Sequence, residues 1–419
     1  MTATDAPAPA DDAPAYTWWR LPGAAAGPLL AFLAFGAFAG CWSALLPQLR
    51  VDSHASEGQL GLAMLASAGG AFPAVLISGW LLDRFGGRIV GIALVGLACA
   101  AYGTSLANTP LQLVLTLVFV GFAAGATDIS MNAAVAHVEA TSRPLMNFAH
   151  ALFSIGAAIG GAATGLLREA SWSASQVSGS LGVLVVLVAI GNASSAAVKP
   201  SDQAAKDGDS SPIFTNVFLL AIGMLVFLSF IVEATAFAWT AIHVEDTFDA
   251  SARVGGFAVA AYFSGSVVGR LVAHVRGNST APRRLIFASG LLIAVAGAAI
   301  AASPTVGPVI IAFLFLGLGT AAVAPTLYSV AGASEPMRRG AAIATVALIG
   351  FLGNVSGAAL AGFVAEQASL RWSFAVVAGA GVALAIGTIL VLHGRAATEP
   401  VPPDEHVGQV PDSLGGLVD

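Results

Sequence analysis

Charge is what this sequence has least of. Asp, Glu, Lys and Arg make up 10% of its 419 residues, whereas apolar residues make up 57% and the mean hydropathy is +0.84. A soluble domain carries about 25% charged residues, so this composition is typical of an integral membrane protein that has the lipid bilayer as its partner. Much of the acid behind the net charge of -6 lies in the two terminal tails. There is no basic patch, so no nucleic-acid partner is expected.

Other absences narrow the function further. The two cysteines, Cys41 and Cys99, lie in apolar runs, which predicts small core residues rather than a disulfide or a metal site. No Gly-x-x-x-x-Gly-Lys-Ser/Thr sequence occurs, which disfavours ATP-driven transport. We therefore expect no cofactor, no metal and no enzymatic activity. The first 20 residues lack a basic segment followed by an apolar one, so no cleavable signal peptide is predicted.

Long apolar runs dominate what is present. About 20 apolar residues cross the roughly 30 Å hydrocarbon core of a bilayer. The chain has six such runs, a polar linker and six more, which predicts an all-α membrane protein with 12 transmembrane helices in two pseudo-symmetric six-helix bundles. The predicted spans lie at about 25–46, 59–82, 89–107, 111–136, 145–167, 179–198, 214–242, 254–275, 284–302, 306–331, 340–364 and 372–393.

The same pattern divides the chain and orients it. With the N-terminus inside, twelve of the 17 Lys and Arg residues fall on the inner side, four fall on the outer side, and Arg270 lies within a helix. Basic residues are enriched in cytoplasmic loops, so both termini are predicted to be cytoplasmic. The predicted divisions are a disordered tail over 1–22, an N-terminal bundle over 23–198, a linker over 199–213, a C-terminal bundle over 214–393 and a disordered tail over 394–419.

A short polar interruption separates the second and third apolar runs. Residues 79–88 read Gly-Trp-Leu-Leu-Asp-Arg-Phe-Gly-Gly-Arg, which predicts a tight turn at the inner membrane surface. Charges this close to hydrocarbon are costly and mark functional residues. A counterpart over 269–278 keeps the glycine and the basic character but has no acid. A repeat of this kind indicates two parallel halves with a substrate site between them.

The interruption resembles the hallmark of the major facilitator superfamily, Gly-x-Leu-x-Asp-Arg-x-Gly-x-Arg between helices 2 and 3. Its six positions are occupied by Gly79, Leu81, Asp83, Arg84, Gly86 and Arg88. The resemblance covers about residues 25–395 and implies a monomeric transporter of the bacterial plasma or inner membrane that works by alternating access.

Within the superfamily, three places are similar to the fucose-permease-like branch: 40–47, 128–132 leading to 150–156, and 233–239. That branch implies proton-coupled uptake of sugar-like solutes. The antiporter signature of helix 5 is incomplete, because 154–161 has its glycines but no proline. This weakens a drug–proton antiporter interpretation without excluding it.

The candidate proton-coupling residues are ionisable groups inside the predicted spans, namely Asp128, Glu233 and His150. Asn132 lies one helical turn beyond Asp128, and helices 4 and 5 are predicted neighbours, so these two residues and His150 form one predicted polar cluster. A carboxyl group so placed can take up and release a proton as a cavity opens to either side. The alternative is a hydrogen-bonded structural tie between helices.

The candidate substrate-binding residues are polar or aromatic groups of the spans: Trp42, Asn132, Trp239, Tyr328 and Asn354. The two tryptophans hold matching positions in the two halves, where they could stack on a ring-shaped solute or serve as interfacial anchors. The candidate gating residues are Gly79, Asp83, Arg84, Gly86, Arg88, Arg143 and Arg270. For the last of these, snorkelling of the side chain to the inner surface is the alternative.

Together, these residues predict a secondary transporter that moves small solutes and is coupled to protons. Uptake of a sugar-like or other small polar metabolite, by symport, is the favoured hypothesis. Proton-driven efflux of an amphipathic metabolite or drug is the alternative, favoured by the sparse charge. A non-transporting sensor or scaffold is disfavoured by the intact motif and the acids inside the spans.

Overall fold

The computed structural model describes residues 25–85, 88–139, 145–193, 212–276 and 281–393. The regular elements in these ranges are helices, and no strand occurs there. The helices are α1 (Ala26–Asp52), α2 (Glu57–Phe85), α3 (Arg88–Thr104), α4 (Pro110–Glu139), α5 (Met146–Glu169), α6 (Ala174–Ala193), α7 (Val217–Phe248), α8 (Ala252–Arg276), α9 (Pro282–Ala302), α10 (Val306–Thr320), α11 (Val323–Ser334), α12 (Arg339–Gln367) and α13 (Leu370–Val391), with a 3-10 turn at Pro336–Arg338.

Ten helical segments of the described ranges are long and apolar enough to cross a membrane, with α10 and α11 counted as one segment. Helix α3 is apolar as well but has only 17 residues. Helices satisfy their own backbone hydrogen bonds, which is what hydrocarbon requires of a spanning segment. The prediction of an all-helical membrane protein is therefore confirmed.

Close backbone contact joins helices within each half of the sequence. A Cβ added to Gly40 of α1 would lie 1.8 Å from the carbonyl oxygen of Ala157 on α5. A Cβ added to Gly353 of α12 would lie 2.2 Å from the carbonyl oxygen of Phe227 on α7. Both distances are far below van der Waals contact, so only glycine permits these approaches, as is common between membrane helices.

The predicted turn at 79–88 is mostly helical. Helix α2 continues to Phe85 and α3 begins at Arg88, so eight of the ten motif positions lie in helices. The counterpart at 269–278 behaves in the same way, because α8 continues to Arg276. A continuing helix keeps backbone groups satisfied near the membrane surface.

The predicted span at 306–331 is divided. Helix α10 ends at Thr320 and α11 begins at Val323. Pro325, in the first turn of α11, has no N–H to donate to the carbonyl of Ala321, and its ring would clash with that carbonyl in a continuous helix. The break therefore lies one turn before the proline, beside the buried hydroxyls of Tyr262 and Thr320, which are 3.4 Å apart.

The two halves of the sequence, α1–α6 (the N-half) and α7–α13 (the C-half), contact each other mainly through α5 with α8 and α2 with α12, and both pairs approach closely through glycines at one end of the bundle. Helix α2 meets α12 at Gly61 and Gly362, and α5 meets α8 at Gly165 and Gly256. This is the end at which α1 ends and α2 begins, and we call it the closed end. In the described ranges the principal contacts of α4 and α11 are with helices of their own halves.

Candidate functional site

Glu233 lies in the middle of α7 as a half-buried carboxyl group. It is about 18 Å from Glu245 at the closed end of the same helix, because each residue adds about 1.5 Å of rise. Its Oε1 accepts a hydrogen bond from Ser229 Oγ, one turn earlier, at 3.3 Å. A carboxyl group at this depth is costly to ionise unless a cation is near.

A cation and two phenols surround that carboxyl group. Arg270 and Tyr262 of α8 and Tyr328 of α11 interact with Glu233 electrostatically. The guanidinium nitrogens of Arg270 are nevertheless more than 4.0 Å from every carboxylate oxygen of the described residues. The sequence analysis missed this cluster, because its members come from three separate helices.

Arg270 does not snorkel along α8. It is half-buried, and its Nη1 crosses to α5 of the N-half, where it donates to the carbonyl oxygen of His150 at 3.2 Å and to Ser154 Oγ. The snorkelling alternative is therefore wrong. The side chain therefore bridges the two halves within the bundle, away from the closed end.

Asp128 and Asn132 of α4 form the predicted pair. Asn132 Nδ2 donates to Asp128 Oδ1 at 3.2 Å and to the Asp128 carbonyl oxygen at 2.8 Å. Phe119 and Phe122, 67% and 37% exposed, mark the lipid-facing side of α4. Asp128 is also exposed, but it lies about 120° around the helix from Phe122, so its exposure is toward the interior of the bundle.

His150 departs from the predicted cluster. Its ring packs edge-on against Phe32 of α1, with 5.1 Å between the ring centroids. No hydrogen bond joins it to Asp128 or Asn132 in the described ranges, and its carbonyl group rather than its imidazole meets Arg270. A proton-coupling role for the His150 imidazole stays a prediction.

The two tryptophans have different environments. Trp239 is 0% exposed, and its Nε1 donates to the carbonyl oxygen of Ala358 on α12 at 3.0 Å. Trp42 is 4% exposed and stacks on Phe38, with 5.6 Å between centroids. In this conformation neither ring presents an open face to a solute.

The remaining substrate candidates are more accessible. Tyr328 is half-buried on α11, within electrostatic range of Glu233. Asn354 is exposed on α12, next to the Gly353 contact with α7. Asn132, half-buried, is already paired with Asp128.

Most of the gating candidates cannot be placed. Gly86 and Arg143 lie outside the described residues, and the structure describes only the helical backbone at Gly79 and Asp83. Arg84 lies in the last turn of α2 and Arg88 begins α3, and both are exposed. Their gating role stays a prediction.

The closed end carries ion pairs that the sequence analysis did not anticipate. Arg168 of α5 binds Glu245 of α7 with both ends of its fork, at 2.7 and 2.9 Å, and also donates to the carbonyl oxygen of Ala44 at 2.8 Å. Arg50 of α1 pairs with Asp246 of α7. Because the predicted spans alternate in direction, these residues fall on the same side of the membrane. That shared side was the only indication in the sequence that they could pair.

Two further contacts complete the closed end. Arg50 also pairs with Glu57 of α2 at 3.0 Å. Glu366 of α12 accepts a hydrogen bond from the backbone N–H of Gly58 at 2.9 Å, so α2 and α12 are tied where they meet. Polar contacts therefore join the N-half to the C-half at this end, among them Arg168 with Glu245, Arg50 with Asp246, and Gly58 with Glu366.

A shallow groove of about 500 Å³ lies away from these residues, between α3 and α6. Its lining is uncharged and includes Tyr102, Trp172 and Gln176. It has none of the acids or bases described above. The described residues contain no cluster of three or more His, Cys, Asp or Glu suited to hold a metal ion.

Spanning helices, charged groups in the interior and ion pairs that join two halves at one end together define a membrane transport protein. The chain belongs to the Major Facilitator Superfamily, whose family profile matches residues 29–245 and again 219–415. The two overlapping matches together cover nearly all of the described helices.

Relatives and solved structures agree with this assignment. The chain is 28% identical over 355 residues to an uncharacterized MFS-type transporter of Yersinia pestis, covering 83% of this chain and 91% of the relative. It is 29% identical over 374 residues to the uncharacterized transporter y4wD of Sinorhizobium fredii, covering 86% and 94%. The fold is similar to the crystal structure of the nucleoside transporter NupG, with a TM-score of 0.72, 14% identity and coverage of 88% and 98%.

Proposed function

We propose that the protein is a secondary active transporter that moves a small solute by alternating access and is driven by protons. One observation carries the proposal: each half of the sequence places an acid inside its helices, Asp128 in the N-half and Glu233 in the C-half, and neither has an ion-pair partner within 4.0 Å among the described residues. Acids at this depth are retained in membrane proteins where ions or substrates pass.

The proposed architecture has twelve spans in two six-helix bundles, over 23–198 and 214–393, joined by a cytoplasmic linker. Both termini are cytoplasmic, so the closed end faces outward and the central residues open toward the cytoplasm. The two bundles rock about the central site. The motif residues Gly79, Asp83, Arg84, Gly86 and Arg88, with Arg143, close the inner side in the opposite state.

The proposed solute is small and polar, in keeping with the fucose-permease-like resemblance. Asn132, Tyr328 and Asn354 provide amide and hydroxyl groups for it, while Trp42 offers a ring if the helices rearrange. Tyr328 is the best supported of these, because it shares the neighbourhood of Glu233. Import follows if protons and solute move together down the inward proton gradient.

The test uses purified full-length protein in vesicles with an imposed pH gradient, screened against neutral sugars, sugar acids and amphipathic drugs. We expect the wild-type protein to accumulate one class, and Asp128→Asn or Glu233→Gln to lose pH-driven accumulation at least tenfold. Asp52→Asn, a carboxyl-to-amide change at the end of α1, is the matched control and should transport normally. Full pH-driven accumulation by both central variants would show that the coupling assignment is wrong.

The direction of transport is read from the same vesicles. Accumulation that follows an inward proton gradient supports symport. Accumulation that needs the opposite gradient, with a drug-like solute, supports the efflux alternative.

A further inference from the structure

We propose that the solute carries a carboxylate group and that this group binds the guanidinium of Arg270. The inference rests on the proposed transport function and names the class of solute for that same central site. It depends on the position, the contacts and the unused donors of the Arg270 side chain.

The position of Arg270 is inside the bundle. It lies six residues before the end of α8 at Arg276, which is about 9 Å along the helix axis. Its Nη1 is directed across to α5, to the carbonyl oxygen of His150 at 3.2 Å and to Ser154 Oγ. Both partners are neutral acceptors, so the positive charge is solvated but not neutralised.

The unused donors of Arg270 are its Nε and Nη2. Neither has a hydrogen-bond partner among the described residues, and no carboxylate oxygen lies within 4.0 Å of the guanidinium. The Nε–Nη2 edge of a guanidinium matches the two oxygens of a carboxylate. Arg168 at the closed end shows a guanidinium–carboxylate pair in this protein: its Nη1 and Nη2 bind the two oxygens of Glu245 at 2.7 and 2.9 Å.

Glu233 is the group that competes with such a solute. It interacts with Arg270 electrostatically without touching it. The other titratable groups facing Glu233 are Tyr262 of α8 and Tyr328 of α11. The described parts of α1, α10, α12 and α13, which also pack against α7, place no cation within 4.0 Å of it.

This arrangement couples a proton to an anion. An ionised Glu233 offsets the positive potential of Arg270, so the solute carboxylate is attracted less. When Glu233 takes up one proton, the uncompensated guanidinium binds one carboxylate. One proton and one anion then cross together, and the transported pair carries no net charge. The affinity for the carboxylate therefore falls as the pH rises and Glu233 loses its proton.

The experiment uses purified full-length protein and matched solute pairs that differ in the carboxylate: glucuronate with glucose, gluconate with sorbitol, and lactate with propanediol. Binding is read as a shift in thermal unfolding, and proton movement is read with a pH-sensitive dye trapped in vesicles. We expect at least one carboxylate, and no neutral partner, to bind and to carry protons. Arg270→Gln should weaken that binding at least 30-fold, whereas Arg283→Gln, an exposed arginine at the start of α9, should leave it unchanged.

Two further variants keep the test informative if Arg270→Gln fails to fold. Arg270→Lys keeps the charge but loses the fork, so binding should weaken about tenfold while remaining selective for the carboxylate. Glu233→Gln cannot ionise, so it should bind the carboxylate with the same affinity from pH 5.5 to 8, where the wild-type affinity falls with pH.

The outcomes separate this inference from the proposed function. Proton-coupled movement of a neutral solute, or a carboxylate affinity unchanged in Arg270→Gln, overturns the inference and leaves the transporter in place. Carboxylate binding that depends on Arg270 but moves no protons supports the inference and contradicts the proton coupling. If no carboxylate binds, the inference is overturned.

Discussion

Among the described residues, charged side chains are paired at the closed end of this protein and unpaired in its interior. At the closed end, Arg168 holds both oxygens of Glu245, and Arg50 is shared between Asp246 and Glu57. In the interior, Arg270 and Glu233 belong to the same electrostatic cluster but remain more than 4.0 Å apart.

The difference separates two roles for charged residues in one membrane protein. Charges that are paired across the two halves hold those halves together, and their carboxylate partners already occupy the guanidinium ends. Charges that are close but unpaired in a low-dielectric interior keep their capacity for a ligand or a proton, because an unpaired ion there is costly and is stabilised when one binds. On this basis we propose that the closed end is a gate and the interior is a binding site.

The largest expected effect comes from breaking the better-buried pair at the closed end. Arg168→Gln leaves Glu245 charged and only 13% exposed, and removing one partner of a buried ion pair costs about 3–5 kcal/mol. We expect a marked fall in the thermal unfolding temperature of the purified protein. The double variant Arg168→Gln, Glu245→Gln removes both charges and should recover a large part of the loss. Equal losses in the single and double variants would argue against the pair.

A smaller effect is expected where Trp239 joins α7 to α12. Trp239→Phe removes the N–H that donates to Ala358, whose carbonyl group keeps its own helical bond within α12, so the expected cost is that of one net hydrogen bond, about 0.5–1.5 kcal/mol. Stability should fall while the Michaelis constant for the solute stays unchanged, because the ring is enclosed by protein. Trp42→Phe, without such a bond, is the control. A change in the Michaelis constant of Trp239→Phe would instead support a substrate-binding role for Trp239.

The smallest effect is expected from the more exposed pairs of the closed end. The carboxylate partners of Arg50 are 34% and 30% exposed, and pairs of this kind contribute about 0–1 kcal/mol. Arg50→Gln should therefore lower the unfolding temperature only slightly, and less at 1 M salt than at 20 mM salt, since salt screens exposed charges. A loss as large as that of Arg168→Gln would remove the distinction between buried and exposed pairs at this end.

The helices were largely predictable from the sequence, because a bilayer demands runs of about 20 apolar residues and this chain has few charges to interrupt them. The ends of the helices were less predictable from the sequence. Helix α1 extends to Asp52 and α7 to Phe248, each about six residues past the predicted span, since a helix can continue into polar residues beyond the hydrocarbon. The break before Val323 was signalled only by Pro325.

The site was predictable only within single helices. Asp128 and Asn132 are one turn apart, so helical periodicity alone pairs them, and the structure confirms the bond. Arg168 and Glu245 are 77 residues apart and meet only because α5 and α7 reach the same end of the bundle. The direction of the Arg270 side chain depends on the packing of α8 against α5, which no local pattern encodes.

The most direct test of the division between gate and binding site is a distance across the closed end. Spin labels at Gln59 of α2 and Gln367 of α12, both exposed, would be introduced in a background without Cys41 and Cys99, and measured with and without saturating glucuronate and with Arg168→Gln. We predict one short distance in the unliganded protein and a second, longer distance that gains population with solute and in Arg168→Gln. A single short distance under all three conditions would contradict the account.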